Sequence, residues 1–200
     1  MRLSVRHTTH YAFSQPVSHG LQRLRLRPKT SHGQHVKSWE TDIVGGRREV
    51  EYDDQHNNHT MLISVDPGAS AVTITCNGVV DTADNAGVMG QHIGFMPLWA
   101  YRNQTALTRP GPRMRALIAG LDCDRANPLE VLHSLSRAVL SAVRYEIGHT
   151  SVTTTAEEAV VAGHGVCQDH AHIFIGCARQ LDIPARYVSG YLMMDDRIDQ

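Results

Sequence analysis

Residues 153–192 read TTTAEEAVVAGHGVCQDHAHIFIGCARQLDIPARYVSGYL, and the order of elements in this run decides the fold. Thr154-Thr155-Ala156-Glu157 has the spacing of a capping box and predicts a short helix through Ala162, which Gly163 stops. After Gly163-His164-Gly165-Val166, apolar residues recur at Ala171, Phe174, Ile175, Ala178 and Leu181. That stripe predicts a second helix with Cys167 at or near its N-terminal end. Asp182-Ile183-Pro184 ends it. Ala185 to Leu192 then reads as a strand, with Tyr187, Ser189 and Tyr191 on one parity and Val188 and Leu192 on the other.

A thiol attacks as its thiolate, and the positive end of a helix dipole favours that form. The glycines at 163 and 165 let the backbone approach closely, while unpaired N–H groups of the first helical turn point where an oxyanion would develop on an attacked carbonyl. Cys167 is therefore the candidate nucleophile, against the plainer reading of a thiol packed beneath its helix. His170 lies three residues on, about 60° around the helix and within reach of Cys167, whereas His172 is about 140° around and faces away. His164, in the glycine loop, is expected to be solvent exposed. His164, Cys167, His170 and His172 are all ligand types that suit zinc. Their spacing leaves His172 off the common face and no second ligand pair follows, so zinc binding through His164, Cys167 and His170 is kept as an alternative and no metal is assigned. Cys177 is about 15 Å along the same helix from Cys167, beyond disulfide reach.

The quoted run resembles the core of the bacterial transglutaminase-like superfamily, whose members place a nucleophilic cysteine in a G-x-C-x-D-x-A-H context, followed by a helix, a G/D-I-P-A-R turn and a V-S-G-Y strand. The similarity extends back to about Leu129, through Tyr145 and the threonine cluster. HTTHYAFSQPV, LRLRP and DDQHNNHT are similar to the β-rich region that precedes this core in many bacterial members. The resemblance implies a papain-like α+β scaffold with a Cys, His, Asp triad, its histidine and aspartate on strands after the cysteine helix. Only the cysteine carries over, onto Cys167; the sequence stops at Gln200, so a C-terminally truncated chain is expected, without the triad histidine and aspartate. In the family the positions of His170 and His172 belong to packing, which assigns both to structural hydrogen bonding. The implied activity is acyl transfer or hydrolysis of an amide, a peptide bond or a glutamine carboxamide, through a thioester on Cys167. Hydrolysis, as in a cysteine protease, is favoured over cross-linking, with a peptide or protein substrate and no cofactor. A non-catalytic binding scaffold without its base is the reading from another class.

Upstream, residues 3 to about 80 alternate as short strands. Leu3, Val5, Tyr11 and Phe13 share a parity; Leu24 and Leu26, then Trp39, Thr41 and Ile43, repeat the period. Gly45-Gly46, Asn57-Asn58 and Asp66-Pro67-Gly68 supply turns, and Val72, Ile74 and Cys76 close the series. This predicts an antiparallel β-sandwich-like domain over 1–83, with Cys76 a core thiol. The period disappears over 84–113, read as a linker anchored by Trp99 and Tyr101; after it the period turns helical, and 114–200 is read as the C-terminally truncated transglutaminase-like core. There Met114, Leu117, Ile118 and Leu121 mark one helix, and Asn127-Pro128-Leu129-Glu130 starts another, with Leu132, Leu135, Val139 and Val143 on one stripe.

The totals agree with a globular protein: 200 residues, 42% hydrophobic, mean hydropathy −0.27. Nineteen Lys and Arg against 20 Asp and Glu leave no positive excess for nucleic acid or a membrane surface. The absence of an apolar run of about 18 residues and of a signal-peptide core points to the cytoplasm. Four cysteines at irregular spacing read as free thiols. Oligomeric state is not legible.

Overall fold

The computed structural model describes residues 1–92 and 94–193. They form two compact units, one from residues 1–96 joined by the segment from Ser189, the other from residues 97–188.

In the first unit the alternating pattern forms long strands: β1 (Arg2–Val17), β2 (Leu21–Leu24), β3 (Gln34–Val44), β4 (Gly46–Asp53), β5 (His59–Val65) and β6 (Ala69–Thr82). They make two antiparallel sheets, ordered β1-β6-β3 and β2-β5-β4. Ile74 stands opposite Thr9 on one side and Ile43 on the other. The period of two puts Val72, Ile74 and Cys76 of β6 on one face, and they pack with Met61, Ile63 and Val65 of β5 in a buried core edged by Phe13, Leu24 and Trp39. Cys76 is a core thiol. Asp54, buried at the start of the Asp54–Asn58 turn, accepts from Arg25 Nε at 2.7 Å, from the amides of His56 and Asn58 at 2.9 Å each, and from the Asn58 side chain at 3.0 Å. Burial alone would raise its pKa, but the donors from Asn58, Arg25 and His56 outweigh it and hold the carboxyl well below the usual carboxylate range.

The expected strand over 185–192 is not one. Within the described residues this segment is irregular and joins no sheet; the Ala185 amide donates to the Tyr101 carbonyl at 3.1 Å, but no ladder forms. Tyr191 lies instead with the β unit, 5.6 Å from the Trp39 ring and 5.5 Å from His7, and its hydroxyl donates to the Leu26 carbonyl at 3.2 Å. Burial, then the neighbouring Cys76, pushes that hydroxyl up to about 12.

The second unit begins with a 3₁₀ turn over Leu98–Arg102 and continues through α1 (Pro112–Ala119), α2 (Pro128–Ala142), β7 (Arg144–Tyr145), α3 (Ala156–Ala162), β8 (His164–Gly165) and α4 (Cys167–Gln180). Tyr101 is buried, but Trp99 is exposed, so only one of the two expected anchors is used. Asn127 caps α2 by accepting from the amides of Leu129 and Glu130. Val131, Leu135 and Val139 form the buried face of α2, continued by Val143 just past its end, while Leu132, expected on that stripe, is only half-buried.

Two further details of the helices differ from the sequence expectation. The capping box of α3 is Thr155 with Glu158, one residue later than expected, because Glu157 is engaged elsewhere. Its carboxyl group accepts from the amides of Gly111, Arg113 and Met114 and so caps the start of α1. The buried face of α4 is centred on Asp169, Ile173 and Cys177, with Gly176 beside it; of the expected stripe Ile175 and Ala178 are buried, while Ala171, Phe174 and Leu181 are half-buried. Ile173, Cys177 and Ala178 meet Met114, Leu135, Val139, Ala156 and Ala159 in the core. Cys177 is sealed there, and burial, with the nearby Glu157, pushes its thiol up to about 12.

Candidate active site

The run before Cys167 is fixed by backbone geometry. Gly163 ends α3 in the left-handed conformation at φ 74°, which glycine adopts without a side-chain penalty. The next residues pair in parallel with β7: the Arg144 amide donates to the Gly163 carbonyl and the Glu146 amide to the Gly165 carbonyl, each at 3.0 Å. Val166 is the residue before the first turn of α4, and Cys167 opens the helix with its side chain exposed.

The helix start carries one arm of a capping box. The Asp169 carboxyl oxygen Oδ2 accepts the Val166 amide at 2.8 Å, but valine has no acceptor to return the bond. Beyond this bond to Val166, no side chain among the described residues accepts from the first-turn amides of Cys167 and Gln168, which also have no intrahelical acceptor. An exposed sulfur and uncapped helix amides thus share one location. A nucleophile with an oxyanion-binding start needs these two features together.

The histidines surround this turn without converging on the sulfur. His170 Nδ1 lies 2.9 Å from the Val166 carbonyl and Nε2 lies 2.9 Å from the Val143 carbonyl, so both ring nitrogens face backbone. This is the structural hydrogen bonding expected of it. His172 does not have that role: its Nδ1 is buried without a partner among the described residues, and its ring lies 5.6 Å from Tyr187. Burial lowers its pKa, the charge of Asp169 opposes that shift, and Arg179 adds to it. His164 is half-buried, contrary to expectation, with its ring 4.6 Å from that of His149 and its Nδ1 buried without a partner among the described residues. Among the described residues no three His, Cys, Asp or Glu side chains gather as a metal would require, so His164, Cys167 and His170 are near in sequence without forming a ligand set.

From the sequence Asp169 stands only as the acidic position of the family motif, without a role, and Thr150 is unmarked. Asp169 is 1% exposed; its Oδ2 also accepts the Thr150 hydroxyl at 2.7 Å, and its Oδ1 is buried without a partner among the described residues. An acidic residue at the third position of a helix was the available signal, obscured because the box lacks a hydroxyl residue at its cap. Thr150 carries no local signal, since its partner lies 19 residues away. The four cysteines are free: Cys76 and Cys177 buried, Cys123 half-buried, Cys167 exposed.

No helix among the described residues is long and apolar enough to cross a membrane. Residues 3–81 match the family described as the bacterial transglutaminase-like N-terminal region, and residues 115–200 match the transglutaminase-like superfamily. An uncharacterized protein of Mycobacterium leprae is 26% identical over 96% of this chain and 71% of its own length. An uncharacterized protein of Mycobacterium tuberculosis is 26% identical over 97% of this chain and 67% of its own. A solved structure from Cytophaga hutchinsonii, described as a "Putative Cysteine Protease", superposes with a TM-score of 0.71 at 14% identity. It is covered over 65% of its length by 92% of this chain, a likeness of fold. With its strands and its helical unit matched in turn, the chain belongs to the transglutaminase-like superfamily and carries the N-terminal region of the bacterial members.

Proposed function

We propose that Cys167 is the nucleophile of an amide hydrolase acting on peptides or proteins. The observation that supports this most is the exposed sulfur on the first residue of α4, beside helix amides that no side chain caps. In the reaction Sγ attacks the amide carbonyl carbon, and the developing oxyanion is met by the amides of the first turn. The C–N bond then breaks, the amine leaves with the proton that the thiol gives up, and a thioester remains on Cys167. Water adds to the thioester, the C–S bond breaks, and the carboxylic acid departs as the sulfur regains its starting form. The superfamily membership and the fold shared with a protein described as a cysteine protease support the same chemistry.

Competition labelling of the full-length protein with limiting iodoacetamide, followed by peptide mapping, tests the reading. Cys167 is expected to be alkylated first, by roughly tenfold over the half-buried Cys123. Alkylation no faster than that of the buried Cys76 or Cys177 would instead favour a non-catalytic scaffold.

A further inference from the structure

We propose that Asp169 is a positioning residue for Cys167, tying the loop that carries Thr150 to the turn from which the thiol emerges. This rests on the reading of Cys167 as nucleophile. The carboxyl group is 1% exposed, and its Oδ2 binds two segments at once: the Val166 amide at 2.8 Å, one residue before the cysteine, and the Thr150 hydroxyl at 2.7 Å. Holding the Val166 amide fixes the peptide plane between Gly165 and Val166, and through it the direction in which Cys167 leaves the turn. The loop it is tied to is itself ordered, with the Ser151 amide donating to Thr154 Oγ1 at 2.9 Å.

The comparison with α3 shows that capping alone does not call for this arrangement. Glu158, also third in its helix, caps Thr155 from an accessible position with its amide bond at 2.8 Å. At α4 the acidic group is instead withdrawn from solvent, leaving Oδ1 without a partner among the described residues, an arrangement that burial penalises. Gly165 makes room for it: a Cβ there would lie 2.8 Å from both Asp169 Cβ and Oδ2. Glycine and carboxyl group fit as a pair immediately before the nucleophile.

The test compares Asp169→Ala, Asp169→Asn, Thr150→Val and Gly165→Ala in the full-length protein. The readout is the iodoacetamide rate at Cys167, with the rate at Cys123 and thermal melting recorded alongside. Asp169→Ala and Gly165→Ala are expected to slow Cys167 about tenfold while Cys123 is unchanged. Asparagine, which keeps an acceptor for the Val166 amide and the Thr150 hydroxyl, is expected to restore the rate to within about threefold of wild type. Thr150→Val removes one bond of the two and should fall between; it decides the matter if Asp169→Ala does not fold. A wild-type rate in Asp169→Ala or Thr150→Val, with wild-type Cys167 still fast, overturns the positioning role alone. Equal changes at Cys167 and Cys123 in step with lower melting also overturn it, by showing general loosening. A wild-type Cys167 as slow as Cys177 removes the nucleophile reading, and the positioning role with it.

Discussion

Cys167→Ala is expected to lower amide hydrolysis by the full-length protein at least about a thousandfold while leaving its melting temperature unchanged. The two halves of this expectation have separate physical grounds. In a thioester mechanism the sulfur makes and breaks the bonds, and no other thiol is placed to substitute: Cys76 and Cys177 are buried, Cys177 with a pKa pushed up to about 12, and the half-buried Cys123 packs against the helical core between α1 and α2. What remains after its removal is the contribution of the helix amides and of substrate binding, a small residue in enzymes of this kind. The exposed Cys167 contributes little packing, so trimming it to alanine should move stability by less than about 0.5 kcal/mol. The measurement is kcat/KM on a fluorogenic peptide-amide library together with thermal melting. Hydrolysis retained by the alanine variant would show that the sulfur is not the nucleophile.

Gly176→Ala is expected to destabilise the helical unit by about 3 kcal/mol or more, although alanine is the better helix former by about 1 kcal/mol. Position 176 is where α4 meets the backbone of the segment before α1. A Cβ there would be driven into the Thr108 carbonyl and would lie 2.7 Å from Met114 Cε. The methionine end could yield, but the carbonyl could not. Thr108 is buried and its hydroxyl is bonded to Gln104 Oε1 at 3.1 Å, while Gln104 Nε2 donates to the Gly176 carbonyl at 2.9 Å. Arg179, one turn on, donates from Nε to the Tyr101 carbonyl at 3.0 Å and ties down the same segment. Urea unfolding of the variant, followed by far-ultraviolet circular dichroism, gives the value; a stability equal to or above that of the parent would contradict this packing.

The features legible in the sequence were those set by local periodicity and local chemistry. Alternation placed Val72, Ile74 and Cys76 in the core of the β unit, and Asn127-Pro128 marked the start of α2, because each signal lies within a few residues. The turn before Cys167 was legible for the same reason: Gly163 takes the left-handed conformation expected of a helix stop. Where partners lie far apart in sequence, the reading slipped. Thr154-x-x-Glu157 and Thr155-x-x-Glu158 are alike as patterns, and only the approach of α1 takes Glu157 away. A hydrophobic stripe cannot reveal that the buried face of α4 is centred on an acidic residue, so apolar periodicity finds Ile175 and Ala178 but points to Ala171 and Phe174 and not to Asp169 and Ile173. The segment 185–192 alternates as a strand does, yet within the described residues it has no partner to complete a ladder.

If Cys167 accepts an acyl group, the adduct can be trapped on its sulfur. The full-length protein would be treated briefly with p-nitrophenyl acetate, quenched in acid and mapped by peptide mass spectrometry with and without hydroxylamine. A hydroxylamine-labile acetyl group is expected on the peptide containing Cys167, formed in step with a burst of nitrophenol and absent from Cys167→Ala. Acetyl groups spread over lysines and the amino terminus at the same rate in both proteins, with Cys167 unmodified, would contradict it.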